Sequence, residues 1–272
     1  MPSTDEKRAT FRQLHQSGCF VIPNPWDSGS ARYLASLGFP ALATTSAGAA
    51  WSMGYADGDA PLDQVLAHIQ TIVEATDLPV NADFESGFAD TAEGVAESVR
   101  RCVATGVAGL SIEDFTGDRS DPLYELPVAV ERIRAARAAI DAHGPGTMLV
   151  GRSEGFFRGR PDLEDTIRRL IAYAEGGANC LYAPGISTRE QIETIVREVA
   201  PLPVNVLISR PTEYTVADLA AMGVRRISLG GVLAAAAWGG FSSIARQIAE
   251  HGSFAGLANA APGVDFNALF RG

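Results

Sequence analysis

The stretch LPVNADFESGFADTAEGVAESVRRCVATGVAGLSIED, residues 78–114, contains a complete strand, loop, helix and second strand. LPVNAD (78–83) is a short apolar run ending on an acid. TAEGVAESVRRCVATG (91–106) has helical period and closes on glycine, and GLSIED (109–114) is again short, apolar and acid-ended. Asp83 and Glu85 stand one residue apart after the first run, just ahead of Gly87, where the absence of a side chain lets a ligand approach the backbone. Two carboxylates held together repel unless a cation or a shared proton relieves them. A solvated acidic loop is the alternative, because loop carboxylates are mostly exposed.

The same alternation fills the chain. Further strands are expected at CFVIPN (19–24), ALATTS (41–46), TMLVGR (147–152), NCLYAP (179–184), LPVNVL (202–207) and RRISLG (225–230). Further helices are expected at 61–76, 127–144, 162–177 and 188–199. Eight strands, each followed by a helix, predict an α/β fold of the (β/α)8 TIM-barrel type, a single domain over residues 1–272. Residues 232–272 read as a C-terminal helical extension of that domain, with more apolar surface than an eighth helix needs. An open doubly wound sheet is the other architecture with this alternation, but no G-x-G-x-x-G follows the first strand.

Composition removes several classes of function. A net charge of -10 disfavours nucleic acid and anionic membranes as partners. The amino terminus is polar and no run approaches a membrane span, so a cytoplasmic protein is expected. Cys19, Cys102 and Cys180 form neither a disulfide framework nor a zinc pattern. The single lysine, Lys7, lies in the polar amino-terminal segment, which argues against Schiff-base chemistry. His15, His68, His143 and His251 include no pair at metal-ligand spacing.

In a barrel of this type the reacting groups sit at the carboxyl ends of the strands. There the sequence places Asn24, Asp27, Thr45, Ser46, Asp83, Glu85, Glu113, Asp114, Arg152, Glu154, Asn205 and Ser228. Several carboxylates facing one mouth predict a divalent cation, and oxygen donors without His or Cys favour Mg2+, with Mn2+ as the alternative. The opposing reading is that some of these acids point outward or pair with Arg152.

These residues resemble the isocitrate lyase and phosphoenolpyruvate mutase superfamily from about residue 18 to residue 240. PNPWDSGSARYLASLGFPALATTSAG (23–48) is similar to its first βαβ unit, and DFESGF (83–88) to its Asp-x-Asp-x-Gly-Tyr. IED (112–114), GRSEGF (151–156), LPVNVL and GVRRISLGG (223–231) follow in the family's order. The resemblance implies an Mg2+-dependent enzyme acting on a small 2-oxo or 2-hydroxy acid through a metal-stabilised enolate. It implies Asp83 as direct metal ligand, with Glu85, Glu113 and Asp57 around the metal's waters. Ser46, Ala47 and Gly48 would take the substrate carboxylate, Arg152 would neutralise the oxyanion, and Asn205 would add to the substrate site. It also implies a homo-oligomer, dimer or tetramer, whose last helix is exchanged between subunits; Trp238-Gly239-Gly240 suits the hinge. A last helix packed on its own barrel is the alternative.

The loop after Glu113 departs from the family. Its lyases carry Lys-Lys-Cys-Gly-His there, and its mutases and phosphonopyruvate hydrolases use Lys and Asn. DFTGDRSDPLYELP (114–127) has none of these, and offers Asp118, Arg119, Asp121 and Tyr124 instead. Three functions stay open: a carbon–carbon lyase or decarboxylase, a carbon–phosphorus enzyme, and a barrel that binds 2-oxo acids without turnover.

Overall fold

The computed structural model describes residues 2–260 and 263–271; Met1, Ala261, Pro262 and Gly272, which end or interrupt the expected 1–272 and 232–272 ranges, lie outside the described residues. Eight strands alternate with helices: β1 (Phe20–Ile22), β2 (Leu42–Ala43), β3 (Val80–Asp83), β4 (Gly109–Glu113), β5 (Met148–Arg152), β6 (Cys180–Tyr182), β7 (Val204–Leu207) and β8 (Arg226–Ser228). The helices are α1 (Thr4–Leu14), α2 (Ser28–Ser36), α3 (Ser46–Met53), α4 (Leu62–Glu74), α5 (Ala92–Ala104), α6 (Leu126–His143), α7 (Leu163–Glu175), α8 (Arg189–Glu198), α9 (Val216–Ala221), α10 (Val232–His251) and α11 (Phe266–Arg271). All ladders are parallel, in the order β1-β8-β7-β6-β5-β4-β3-β2. Ala43 N–H donates to Pro23 O at 3.0 Å across the last seam. The chain is a (β/α)8 barrel, and every strand lies within the run expected to form it.

The two-residue period of each strand sorts its side chains between two environments. Val80, Ala82, Leu110, Ile112, Leu149 and Leu181 face the helices and join their apolar sides in one cluster. The alternate positions face the barrel axis. Low in the barrel they are apolar, with Phe20, Ile22, Ala43, Ala108, Met148 and Val150 packed around Phe11. At the carboxyl ends the same inward rows turn polar: Asp83, Glu113, Arg152 and Ser228. The barrel therefore has an apolar base and a charged mouth.

The amino-terminal segment, which reads as merely polar, forms α1 and closes the base. Ser3 and Glu6 make a capping box, and Phe11 is fully buried against His15 and Phe20. Lys7 donates to Thr76 O at 2.6 Å, and Arg8 donates to Val103 O and Val107 O, each at 3.2 Å. Long cationic side chains bury their stems and cap the last carbonyls of neighbouring helices, so polarity in sequence does not mean exposure.

Beyond β8 the pattern changes. α10 buries one residue, Ala234, and leaves Trp238, Phe241 and Ile248 exposed. It remains helical through Gly239 and Gly240. No helix among the described residues is long and apolar enough to cross a membrane.

Candidate active site

The site begins where β3 ends. After Asp83 the backbone enters the left-handed region at Glu85 (φ 47°), Gly87 (φ 89°) and Phe88 (φ 55°). For residues with a Cβ this conformation costs about 1 kcal/mol or more. Phe84, fully buried with its ring centroid 5.0 Å from that of Phe88, and a hydrogen bond from Glu113 N–H to Glu85 O at 2.9 Å hold it in place. The turn keeps the Glu85 carboxylate beside Asp83 instead of releasing it to solvent.

Asp83 is fixed from two sides. One oxygen accepts from Ser46 N–H at 3.0 Å, at the start of α3, and the other from Arg152 Nη1 at 3.1 Å. Arg152 in turn reaches Glu113 Oε2 at 3.1 Å and Glu154 Oε1 at 2.6 Å. Arg158 reaches the other oxygens of the same two acids, Glu154 at 2.7 Å and Glu113 at 3.6 Å, and lies over the Phe115 ring. Two arginines thus hold Glu113 and Glu154, both almost without exposure, while Asp57 and Glu85 make no ion pair among the described residues.

That imbalance appears in proton affinity. Burial first, then the charges of Asp83 and Asp57, push Glu85 up to about 7. Asp57 is raised by burial and by Asp83. Glu113 is raised by burial, with Arg152 and Arg158 pulling against it. A small cavity of about 130 Å³, lined in part by Ser46, Asp83, Arg152, Tyr182, Arg226 and Ser228, lies inside the mouth. It shares Ser46, Asp57, Arg152 and Phe157 with an outer hollow of about 510 Å³ that Glu85, Glu113, Arg119 and Arg158 also line.

Among the described residues, no three His, Cys, Asp or Glu side chains are grouped as a ready-made metal cage. Magnesium nevertheless keeps several waters and takes only one or two carboxylates, so Asp83 with Glu85 and Asp57 nearby is a suitable donor set for a hydrated ion. The raised proton affinities of Glu85 and Asp57 mark negative charge that the cations of the described residues leave uncompensated.

The structure brings Ser46, Ala47, Asp57, Asp83, Glu85, Glu113 and Arg152 to these two connected spaces. It does not bring Gly48 there. A Cβ on Gly48 would meet Thr45 Cγ2 at 2.7 Å, Trp26 Cβ at 2.9 Å and Ala234 Cβ at 3.0 Å, so this glycine serves close packing. Asn205 reaches the site only through Arg226 and Ser228, to which it is hydrogen-bonded. Asp27 caps α2, and Asp114 turns beneath the mouth to Tyr173 and Arg169. In the loop after Glu113, Asp118 caps its own turn at Ser120, while Arg119 and Tyr124, whose ring also carries the Arg132 guanidinium, line the outer hollow. Arg158, Tyr182 and Arg226 escaped the sequence reading; Arg158, four residues after Glu154, was the one with a legible signal.

A profile of the phosphoenolpyruvate phosphomutase family matches residues 11–249. An oxaloacetate decarboxylase of Rhodopseudomonas palustris (strain BisB5) is 32% identical over 222 residues, 78% of this chain and 74% of the relative. A solved structure of a Burkholderia cenocepacia J2315 protein, provisionally assigned as a lyase/mutase, is 45% identical with a TM-score of 0.93, covering 99% of this chain and 97% of that one. Oxaloacetate acetylhydrolase, solved with its product oxalate, is 26% identical with a TM-score of 0.85, covering 99% and 93%. With the profile spanning the whole barrel and these relatives covering most of its length, the chain belongs to the isocitrate lyase/phosphoenolpyruvate mutase superfamily.

Proposed function

We propose that the chain is a divalent-cation-dependent carbon–carbon lyase or decarboxylase acting on a small 2-oxo or 2-hydroxy diacid. The observation that carries this reading is the constellation of Asp83, Arg152 and Glu113 at the barrel mouth, beside two carboxylates, Asp57 and Glu85, that make no ion pair among the described residues. Relatives named for reactions of oxaloacetate give the substrate class its direction.

A magnesium or manganese ion held by Asp83, with Glu85, Glu113 and Asp57 around it, would polarise the 2-oxo oxygen and stabilise the charge left when the adjacent bond breaks. Arg152 commits Nε and Nη1 to the acids, and its Nη2, which has no acceptor among the described hydrogen bonds, can donate to the substrate oxyanion. Glu154 and Arg158 lock its orientation. At the start of α3, Ser46 N–H already serves Asp83 and Gly48 N–H serves the cap residue Thr45, so Ala47 N–H is the amide left for a substrate carboxylate. Burial pushes the Tyr182 phenol up to about 12, which keeps it protonated as a donor at the cavity wall.

A carbon–phosphorus enzyme is the second reading, favoured by the family profile and opposed by the absence of lysine and asparagine from residues 114–127. The test is a substrate panel with magnesium that follows pyruvate and glyoxylate. A four- or five-carbon 2-oxo diacid should turn over, chelator should abolish this, magnesium or manganese should restore it, and Asp83→Ala should resist rescue. Oxalate should compete. Turnover of phosphonopyruvate in preference to every diacid would move the assignment to the second reading, and binding of 2-oxo acids without product would make the barrel non-catalytic. Efficient isocitrate cleavage would overturn the argument from the altered loop.

A further inference from the structure

Arg226 lies inside the barrel, 3% exposed, at the start of β8. The other buried arginines are each sealed by acids or carbonyls: Arg169 by Asp114 and Asp165, Arg132 by three backbone oxygens, Arg8 by two. Arg226 has no carboxylate partner among the described residues. Its Nε donates to Asn205 Oδ1 at 2.8 Å and its Nη1 to Asn81 Oδ1 at 3.4 Å. A guanidinium has five N–H groups, so three are left without a protein acceptor among the described hydrogen bonds. His15, within its field from below, is pushed down to about 3 by burial and then by Arg226, and contributes no charge of its own.

The two contacts orient the guanidinium without neutralising it. Asn81 donates its amide to Ala82 O and Asn205 donates to Ser228 Oγ, which turns both carbonyl oxygens toward Arg226. An aspartate at either position would cancel the charge; asparagine preserves it. A buried, unpaired cation is costly unless an anion arrives to complete it. The open side of Arg226 lines the same cavity of about 130 Å³ as Asp83 and Arg152. Asn81, which marks its level, is two residues before Asp83 on β3, a rise of about 6–7 Å. That is the reach of a four- or five-carbon diacid standing along the barrel axis.

We propose that Arg226 is a second anion-binding point at the floor of the site, which holds the far carboxylate of a diacid whose 2-oxo or 2-hydroxy end lies at Asp83 and Arg152. Ser228, whose Oγ accepts from Asn205, lines the same cavity beside Arg226. This inference rests on the reading of the mouth as a 2-oxo acid site, and selects diacids over monoacids of equal length.

The test is calorimetric binding, with magnesium present, of two matched pairs: 2-oxoglutarate against 2-oxopentanoate, and malate against 2-hydroxybutanoate. In the wild type the diacid of at least one pair should bind about ten- to hundredfold more tightly, the worth of a charge-assisted hydrogen bond. Arg226→Met should erase that difference with little change for the monoacid, and Arg226→Lys should retain part of it. Asn205→Asp, which supplies the missing carboxylate without removing the arginine, should also erase it and keeps the test open should the methionine variant fold poorly. Equal loss for diacid and monoacid in Arg226→Met and Asn205→Asp, together with a lower melting temperature, would make Arg226 a structural plug and overturn the inference while leaving the 2-oxo acid reading intact. Failure of the wild type to bind any of the four acids would overturn both.

Discussion

The proton affinity of Glu85 makes a quantitative prediction for the metal-free protein. Its carboxyl rises from 4.5 to about 7 because burial and the charges of Asp83 and Asp57 disfavour ionisation. A group whose folded pKa lies above its unfolded value contributes stability that is complete below the unfolded value, here about 4.5, and is lost as pH rises through about 7. Each unit corresponds to about 1.4 kcal/mol, so ionising Glu85 costs the folded state about 3 kcal/mol by pH 8. Glu85→Gln keeps the size and the strained turn but cannot ionise. In chelator, urea unfolding of the two proteins should give a difference that grows in favour of the variant by about 3 kcal/mol between pH 4.5 and pH 8. Asp57, raised in the same direction, titrates in both proteins and cancels to first order. Magnesium at pH 8 should recover most of the loss in the wild type and little in the variant. A wild-type-to-variant difference that stays constant with pH would refute the reasoning, since it would place Glu85 in solvent rather than in an uncompensated carboxylate group.

Arg152→Lys keeps the charge but loses the planar fork that spans Asp83, Glu113 and Glu154, so turnover should fall by ~2–4 kcal/mol in transition-state stabilisation with the fold retained; wild-type kinetics would reduce Arg152 to a structural ion pair. Gly48→Ala forces a methyl into contacts of 2.7–3.0 Å and should cost ~1–3 kcal/mol of stability in thermal or urea unfolding. An unchanged midpoint would mean that α3 can shift away from Trp26 and Ala234. We further propose that α10 docks on a second copy of the chain, because its apolar side, with Phe241 62% and Trp238 41% exposed, is left uncovered among the described residues. Light scattering should give a dimer or tetramer for the wild type and a smaller mass for Phe241→Glu; an identical mass for both would place the interface elsewhere.

The barrel and much of its mouth were legible in the linear chain because both depend on short-range pattern. Strand and helix periods, the glycines that end helices, and acids directly after apolar runs are local signals, and they located all eight strands and put Asp83, Glu85, Glu113 and Arg152 at strand ends. What the sequence could not convey is which of those polar groups face one another. Asp114, one residue past Glu113, turns away to Tyr173 on α7, while Arg158, outside any strand, swings back to share Glu113 and Glu154 with Arg152. Lys7 and Arg8 looked like surface charge until carbonyls more than sixty residues away in sequence gave them partners. Arg226 and Asn205 sat in strands, where alternation assigns a face but not a neighbour, and only closure of the barrel brought Arg226 to Asn205, Asn81 and the cavity floor. Period and punctuation are properties of adjacent residues, so the sequence by itself determined the fold and the chemical type of its mouth. Charge pairing and cavity shape arise between strands remote in the chain, so only the tertiary structure decided which acids are paired with arginine, which are not, and which buried arginine meets no carboxylate among the described residues.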